Sequence, residues 1–172
     1  MKKTIIGIMG SGDDSATADM AQAEAFARHV AKRGWVVLTG GRPAGVMKAA
    51  HEGAKKGGGL IVGILPYQRA DGDHQHCPLV DIPIYTGLGD ARNAITGQAP
   101  DVVVAFVEEA GPGTISEVAL ACKAKRPVVL VGPRHSTTNL AAVVSDTAHH
   151  AEDADAAMRQ VEAILEKADR VG

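Results

Sequence analysis

Four glycine-rich turns hold the residues whose types and spacing could do chemistry. They are Gly10-Ser11-Gly12-Asp13, Thr39-Gly40-Gly41-Arg42-Pro43-Ala44-Gly45-Val46-Met47, Thr86-Gly87-Leu88-Gly89-Asp90-Ala91-Arg92-Asn93 and Glu108-Glu109-Ala110-Gly111-Pro112-Gly113-Thr114. Each follows an apolar run and precedes a helical pattern. Glycine lets the backbone come close to a ligand. The unpaired N–H groups of a helix N-terminus then favour an anion. Arg42 and Arg92 each sit near a helix start, where a cation is unfavourable by about 0.3–1 kcal/mol. Two such arginines suit a site with a phosphate or similar oxyanion between them. Plain turn chemistry and arginines reaching into water would leave the same letters.

Glu117 reads in two ways. Thr114-Ile115-Ser116-Glu117 fits a capping box, with Thr114 as cap and Glu117 returning to the cap N–H. Alternatively its carboxylate faces a group next to the bound anion, such as a sugar. The sequence leaves both open.

The elements that position these residues follow from hydropathy. Apolar runs cover Thr4–Met9, Trp35–Leu38, Leu60–Leu65, Ile82–Tyr85, Val102–Val107 and Val128–Val131. Most are continuous rather than alternating, as in strands covered on both faces. Between them lie helical patterns. Thr17–Lys32 puts Met20, Ala23, Phe26, Ala27 and Val30 on one stripe, with Glu24, Arg28 and Lys32 spaced i, i+4 outside. About Asp153–Ala168 a last helix buries Met158, Val161, Leu165 and Ala168, with Asp155–Arg159 and Glu166–Arg170 as i, i+4 pairs. Repeated strand–helix–strand units predict an α/β fold: one open, doubly wound, mainly parallel sheet of about six to seven strands with helices on both faces. In such sheets ligands bind beyond the carboxyl ends of the strands.

Composition sets limits. The chain has 172 residues, a length that suits one domain, taken as 1–172. Aromatic residues are 3% and net charge is −2, so neither a base-stacking platform nor a basic field for nucleic acid or an anionic membrane is expected. Two distant cysteines, Cys77 and Cys122, argue against a disulfide scaffold and for a reducing, cytoplasmic setting. The start Met1–Gly7 carries too short an apolar run for a signal peptide.

Other candidates have plain readings. His74, His76 and Cys77 lie in the polar segment 67–81, where a solvated loop is expected over a metal site; no metal is expected. His149-His150 read as surface, and Cys122 as a small buried hydrophobe. Gly7-x-x-Gly10-x-Gly12 loosely matches dinucleotide spacing, but the second strand run ends in Leu38-Thr39 with no acidic residue to hold a ribose.

Gly40-Gly41-x-x-x-Gly45-Val46-Met47, then Ala91-Arg92-Asn93, then Gly111-Pro112-Gly113-Thr114-x-x-Glu117 resembles the LOG-like, or "lysine decarboxylase-like", Rossmann superfamily. The resemblance covers roughly residues 4–132. It implies a single Rossmann-like domain. Leu38–Arg42, Gly57–Pro66, Asp81–Ile84, Thr86–Asn93 and Gly111–Thr114 look most like the molybdenum cofactor carrier proteins of that superfamily. This branch implies a protein that binds and protects molybdopterin without chemistry. The phosphate and pterin would be held by Gly10, Ser11, Gly12, Gly40, Gly41, Arg42, Gly45, Val46, Met47, Arg92, Asn93, Gly111, Pro112, Gly113, Thr114 and Glu117. It further implies a homodimer or homotetramer, pairing through the helices around the glutamate motif, with molybdoenzyme or insertase partners; Ile115, Val118, Ala119 and Cys122 offer an apolar stripe there, which burial against the sheet explains equally well. The alternative branch implies a nucleoside 5′-monophosphate phosphoribohydrolase with Arg92 and Glu117 catalytic. Against it, Glu109 and Ala110 stand where those hydrolases have Pro and Gly, and Arg42 replaces the third Gly of their GGG.

Overall fold

The computed structural model describes residues 2–69, 76–137, 140 and 148–170. Seven strands form one sheet: β1 (Ile5–Met9), β2 (Val36–Thr39), β3 (Ile61–Leu65), β4 (Ile82–Tyr85), β5 (Val102–Phe106), β6 (Val128–Val131) and β7 (Ala148–Ala151). Helices with described bounds are α1 (Thr17–Lys32), α2 (Gly45–Lys56), α3 (Asn93–Gln98), α4 (Pro112–Lys123) and α5 (Ala154–Asp169); a 3-10 turn, Gly89–Arg92, leads into α3, and residues 134–137 are also helical. The strand order is β4-β3-β2-β1-β5-β6-β7. Every pairing is parallel. The predicted fold class is therefore the observed one. No helix among the described residues is long and apolar enough to cross a membrane.

The order reverses direction between β1 and β5, which pair through Ile6–Val102 to Met9–Ala105. Chains leave these two strands toward opposite sides, so a crevice opens at their carboxyl ends. Apolar layers cover both faces. One joins Ile6, Ile8, Phe26, Val30, Val104 and Phe106 with α1, α2 and α5. The other joins Met9, Leu38, Val103 and Leu130 with Val118 and Ala121 of α4. β5 is buried at every residue, which is why it reads as an unbroken apolar run.

Small residues set the helix spacing. A methyl at Gly53 of α2 would stand 2.0 Å from the Glu24 carbonyl of α1, and one at Gly97 of α3 would stand 2.6 Å from the Glu117 carbonyl of α4. α1 and α2, and α3 and α4, thus pack backbone to backbone.

Several local expectations are corrected. Met20 is only partly buried, and Asp19 and Ala31 take places on the buried face of α1. Glu24 bonds Lys56 of α2 at 2.5 Å instead of closing a pair within α1. Asp155 lies 3.4 Å from His29 Nε2 rather than against Arg159. Ala168 is exposed, and Ile164 packs on the core with Leu165. For Glu24 and Asp155 the neighbouring helix offers the nearer partner. Cys77 is not solvated: it is 3% exposed, joins the core, and its N–H donates to the Gly41 carbonyl at 2.8 Å. His76 is half-buried, with Nδ1 2.9 Å from the Tyr85 hydroxyl. His74 lies outside the described residues. His149 is exposed, but His150 is half-buried, and both its ring nitrogens lack a partner among the described residues. Cys122 is half-buried against the second apolar layer.

Candidate functional site

A cavity of about 230 Å³ sits at the β1/β5 reversal. All four glycine turns contribute to it: Gly10, Ser11 and Gly12 after β1; Gly40, Arg42 and Met47 after β2; Asp90, Arg92 and Asn93 before and in α3; Gly111, Pro112, Gly113, Thr114 and Glu117 at the start of α4. Ile8 and Met9 add apolar lining. Three of the predicted site residues, Gly41, Gly45 and Val46, do not line it. Their N–H groups are already engaged. Gly41 donates to Thr39 Oγ1 at 2.9 Å, Gly45 to Asp14 Oδ1 at 2.8 Å, and Val46 to the Ser11 carbonyl at 2.9 Å.

The four turns therefore differ in what they offer. The N-terminus of α2 is closed by the Asp14 carboxylate. The N-terminus of α4 carries no capping side chain among the described residues. Gly111 stands at its N-cap and Pro112 at its first turn. Proline loses nothing there, because the first N–H groups of a helix have no partner within it. The N–H groups of Gly113 and Thr114 point out of an uncapped dipole end, the arrangement that receives an anion. The capping box is corrected accordingly: Gly111, not Thr114, is the cap, and Thr114 is buried.

Glu117 turns toward α3 instead of its own N-terminus. Its Oε1 accepts from Arg92 Nη1 at 2.7 Å and from Thr96 Oγ1 at 2.8 Å. Arg92 closes the 3-10 turn and stands at the N-cap of α3, not in its first turn. Burial pushes the Glu117 carboxyl up from its ordinary range, opposed by Arg92, the Thr96 hydroxyl and Arg42. Arg92 Nε is buried with no partner among the described residues. An arginine presents five donors, and an unpaired buried one is costly. Part of Arg92 is thus held by Glu117 while part remains for something else.

Space around Arg92 is made by Gly40. A methyl there would meet both terminal nitrogens of Arg92 at 2.8 Å and Met47 Sδ at 2.9 Å. Arg42 approaches from the other side, its Nη2 3.0 Å from where a methyl on Gly12 would stand. Asn93 Nδ2 donates to Ser116 Oγ at 2.7 Å, and Ser116 donates on to the Gly113 carbonyl at 2.7 Å. That chain ties α3 to the first turn of α4. The arrangement offers an anion two cations, Arg42 and Arg92, with the buried Glu117 carboxylate beside them. Among the described residues no group of three or more His, Cys, Asp or Glu could hold a metal.

The sequence reading passed over four residues that build this site. Asp14, Asp19, Thr39 and His51 bond backbone groups or each other behind the cavity. Asp19 is 2% exposed and accepts from the N–H groups of Glu108 and Glu109. His51 is fully buried, with Nε2 2.7 Å from Thr39 Oγ1, and burial with nearby Lys55 lowers its pKa to about 4. A buried acid on an apolar helix stripe was the available signal for Asp19.

Comparison with known proteins places this geometry. The structure is similar to a molybdenum cofactor binding protein from the phototrophic bacterium Rippkaea orientalis, with TM-score 0.87 and 40% identity over 96% of this chain and 99% of that one. It is similar to the Moco carrier protein of Chlamydomonas reinhardtii, with TM-score 0.85 and 42% identity over 96% and 99%. An uncharacterized protein of Archaeoglobus fulgidus is 38% identical over 143 residues, 78% of this chain and 88% of its own length. DNA processing protein A of Helicobacter pylori shares the fold alone, with TM-score 0.70 at 20% identity over 95% of this chain and 81% of that one. The SLOG cluster4 family model matches residues 3–164, and this chain belongs to that family.

Proposed function

We propose that this chain is a molybdenum cofactor carrier that holds molybdopterin in the cavity at the β1/β5 reversal. The observation that carries the reading is the likeness, at 40–42% identity over 96% of the chain, to two proteins described as binding or carrying that cofactor. The site chemistry supports it. The cofactor's phosphate would lie on the open N-terminus of α4, against Gly113 and Thr114, with Arg92 and Arg42 as charge-assisted donors. Met9, Met47 and Ile8 offer an apolar wall for the ring system. The metal would arrive with the cofactor, as cargo. Holding it needs no proton transfer: the residues bind, orient and exclude water.

The reading includes self-association of this single ligand-binding domain. Ile82, Ile84, Ile95 and Ile115 are 36–45% exposed. Ile82 and Ile84 stand beside Val62 and Ile64 in register, on the sheet face that α4 covers further along. A parallel sheet is ordinarily covered on both faces, and a second copy would complete this one.

The test is protection. Free cofactor is incubated in air with equimolar protein, and what survives is scored by reconstitution of a cofactor-free molybdoenzyme. Wild type should lengthen the lifetime and Arg92→Ala should not. Release of adenine and ribose 5-phosphate from AMP, abolished by Glu117→Ala, would overturn the carrier reading in favour of phosphoribohydrolysis.

A further inference from the structure

The turn between β5 and α4 presents the open helix end, yet its own first residues, Glu108 and Glu109, are exposed. It is held from behind by one side chain. Asp19, in the first turn of α1, sends Oδ1 to the Glu108 N–H at 3.3 Å and Oδ2 to the Glu109 N–H at 3.0 Å. The carboxylate is 2% exposed, and no cation pairs with it among the described residues. A buried acid without a counter-ion is expensive unless backbone donors satisfy it. Here two consecutive N–H groups do so, across 89 and 90 residues of sequence. Burial raises the Asp19 pKa, the Glu109 and Glu108 N–H bonds oppose it, and the charges of Glu108 and Glu109, the charged groups that bear on it, add to the rise.

We infer that Asp19 is a positioning residue for the anion cavity: its carboxylate anchors the β5–α4 turn so that the N–H groups of Gly113 and Thr114 face the ligand. The inference rests on the carrier reading for the identity of the ligand, but not for the anchor. Asp14 does for the α2 turn what Asp19 does for this one, through Gly45. The β1–α1 segment thereby holds the turns on both sides of the cavity, each by a carboxylate on backbone N–H groups. Packing alone would not explain a buried charge at position 19, since alanine or leucine fills a helix stripe without the desolvation cost.

The test uses Asp19→Asn, which keeps the shape but sets an amide NH2 against a backbone donor, with Asp14→Asn as comparison. Amide hydrogen exchange is mapped in each full-length protein, and cofactor affinity is measured well below the melting temperature. Asp19→Asn should speed exchange at 108–114 on the order of tenfold or more while β1 and β2 stay protected, and weaken cofactor binding by a similar factor. Asp14→Asn, whose Oδ1 still accepts from the Gly45 N–H, should leave exchange at 108–114 unchanged. A lowered melting temperature with unchanged exchange at 108–114, or with unchanged affinity, overturns the inference. Wild type that binds no cofactor, beside faster exchange at 108–114 in Asp19→Asn, sinks the carrier reading and leaves the anchor standing.

Discussion

Arg92 Nη1 meets Glu117 Oε1 at 2.7 Å, with the two side chains 9% and 8% exposed. The pair joins the 3-10 turn before α3 to the second turn of α4, and both residues line the cavity. Breaking one partner of a buried pair strands the other, at about 3–5 kcal/mol. Arg92→Met should therefore destabilise by about 3 kcal/mol in urea unfolding. The sign of the pH effect follows from Glu117. Its folded pKa already lies above its ordinary value, and losing Arg92 raises it further. A raised acid binds its proton more tightly when folded, so stability is recovered as pH falls. The deficit of Arg92→Met should thus shrink from neutral toward acid pH. Glu117→Gln keeps an acceptor for Arg92 Nη1 and Thr96 Oγ1 but leaves the buried guanidinium without its counter-charge, so it should also destabilise, and without the recovery toward acid pH.

Gly40 tests the site without replacing a charged residue. A methyl there would lie 2.8 Å from both terminal nitrogens of Arg92. The end of a side chain can move aside, so the cost in stability should stay below about 1.5 kcal/mol. The displacement falls on Arg92 itself. Gly40→Ala should fold with a near wild-type unfolding midpoint yet lose cofactor protection. Equal loss of midpoint and protection would place Gly40 in the fold rather than the site.

These residues also mark how far the letters alone reach. Six strands are legible because parallel strands buried on both faces are continuous apolar runs. β7, Ala148-His149-His150-Ala151, gives no apolar run, being an edge strand with polar residues, so it shows only as a late short strand near His149-His150 without bounds. Four glycine turns and two arginines are legible as an anion site, since spacing and residue type carry that chemistry. Which helix end stays open is not, because the closure of α2 depends on Asp14, 31 residues away from Gly45. The Arg92–Glu117 pair is hidden for the same reason: a capping box is a local pattern, and the real partner lies across α3, brought near by Gly97. Asp14 stays exposed, and only its bond to the distant Gly45 N–H gives it a part in the site.

His51 carries a pH prediction. Burial, then Lys55, lowers its pKa from 6.5 to about 4, so the folded state holds it neutral. The unfolded chain takes a proton in that interval and the folded chain does not. Stability from this group is therefore full above about 6.5 and is lost as pH falls toward about 4. The interval corresponds to about 3 kcal/mol. Asp19 and Glu117, whose pKa values are raised, work in the opposite direction. The comparison must then be with His51→Gln. The stability advantage of wild type over that variant should shrink as pH falls through this interval; a constant difference would show that His51 titrates normally.

Gly53 sets two effects of known size against each other. Alanine is better than glycine in a helix by about 1 kcal/mol. At this position its methyl would lie 2.0 Å from the Glu24 carbonyl, which is backbone and cannot swing away. Forcing α1 from α2 disturbs the layer built on Phe26, Val30 and Ala50, and overpacking of this kind costs about 1–3 kcal/mol. The clash should win. Gly53→Ala is expected to lower stability despite its higher helix propensity, whereas Gly58→Ala, with open space but φ +75°, should cost only its backbone strain.

The exposed isoleucines on β4 give the last prediction. Strand residues alternate faces, so Ile82 and Ile84 point the same way, 45% and 43% exposed, beside the partly buried Val62. Pro83 between them removes one N–H from the free edge of the sheet, which disfavours growth by strand addition. Association through the apolar face is the alternative that remains. A stable interface buries on the order of 800 Å² per partner, with an apolar centre where charge is not tolerated. Ile82→Asp with Ile84→Asp should leave the monomer folded, since neither side chain belongs to the core, and shift light-scattering mass from oligomer to monomer. The same oligomeric mass in wild type and the double variant would move the contact to another surface.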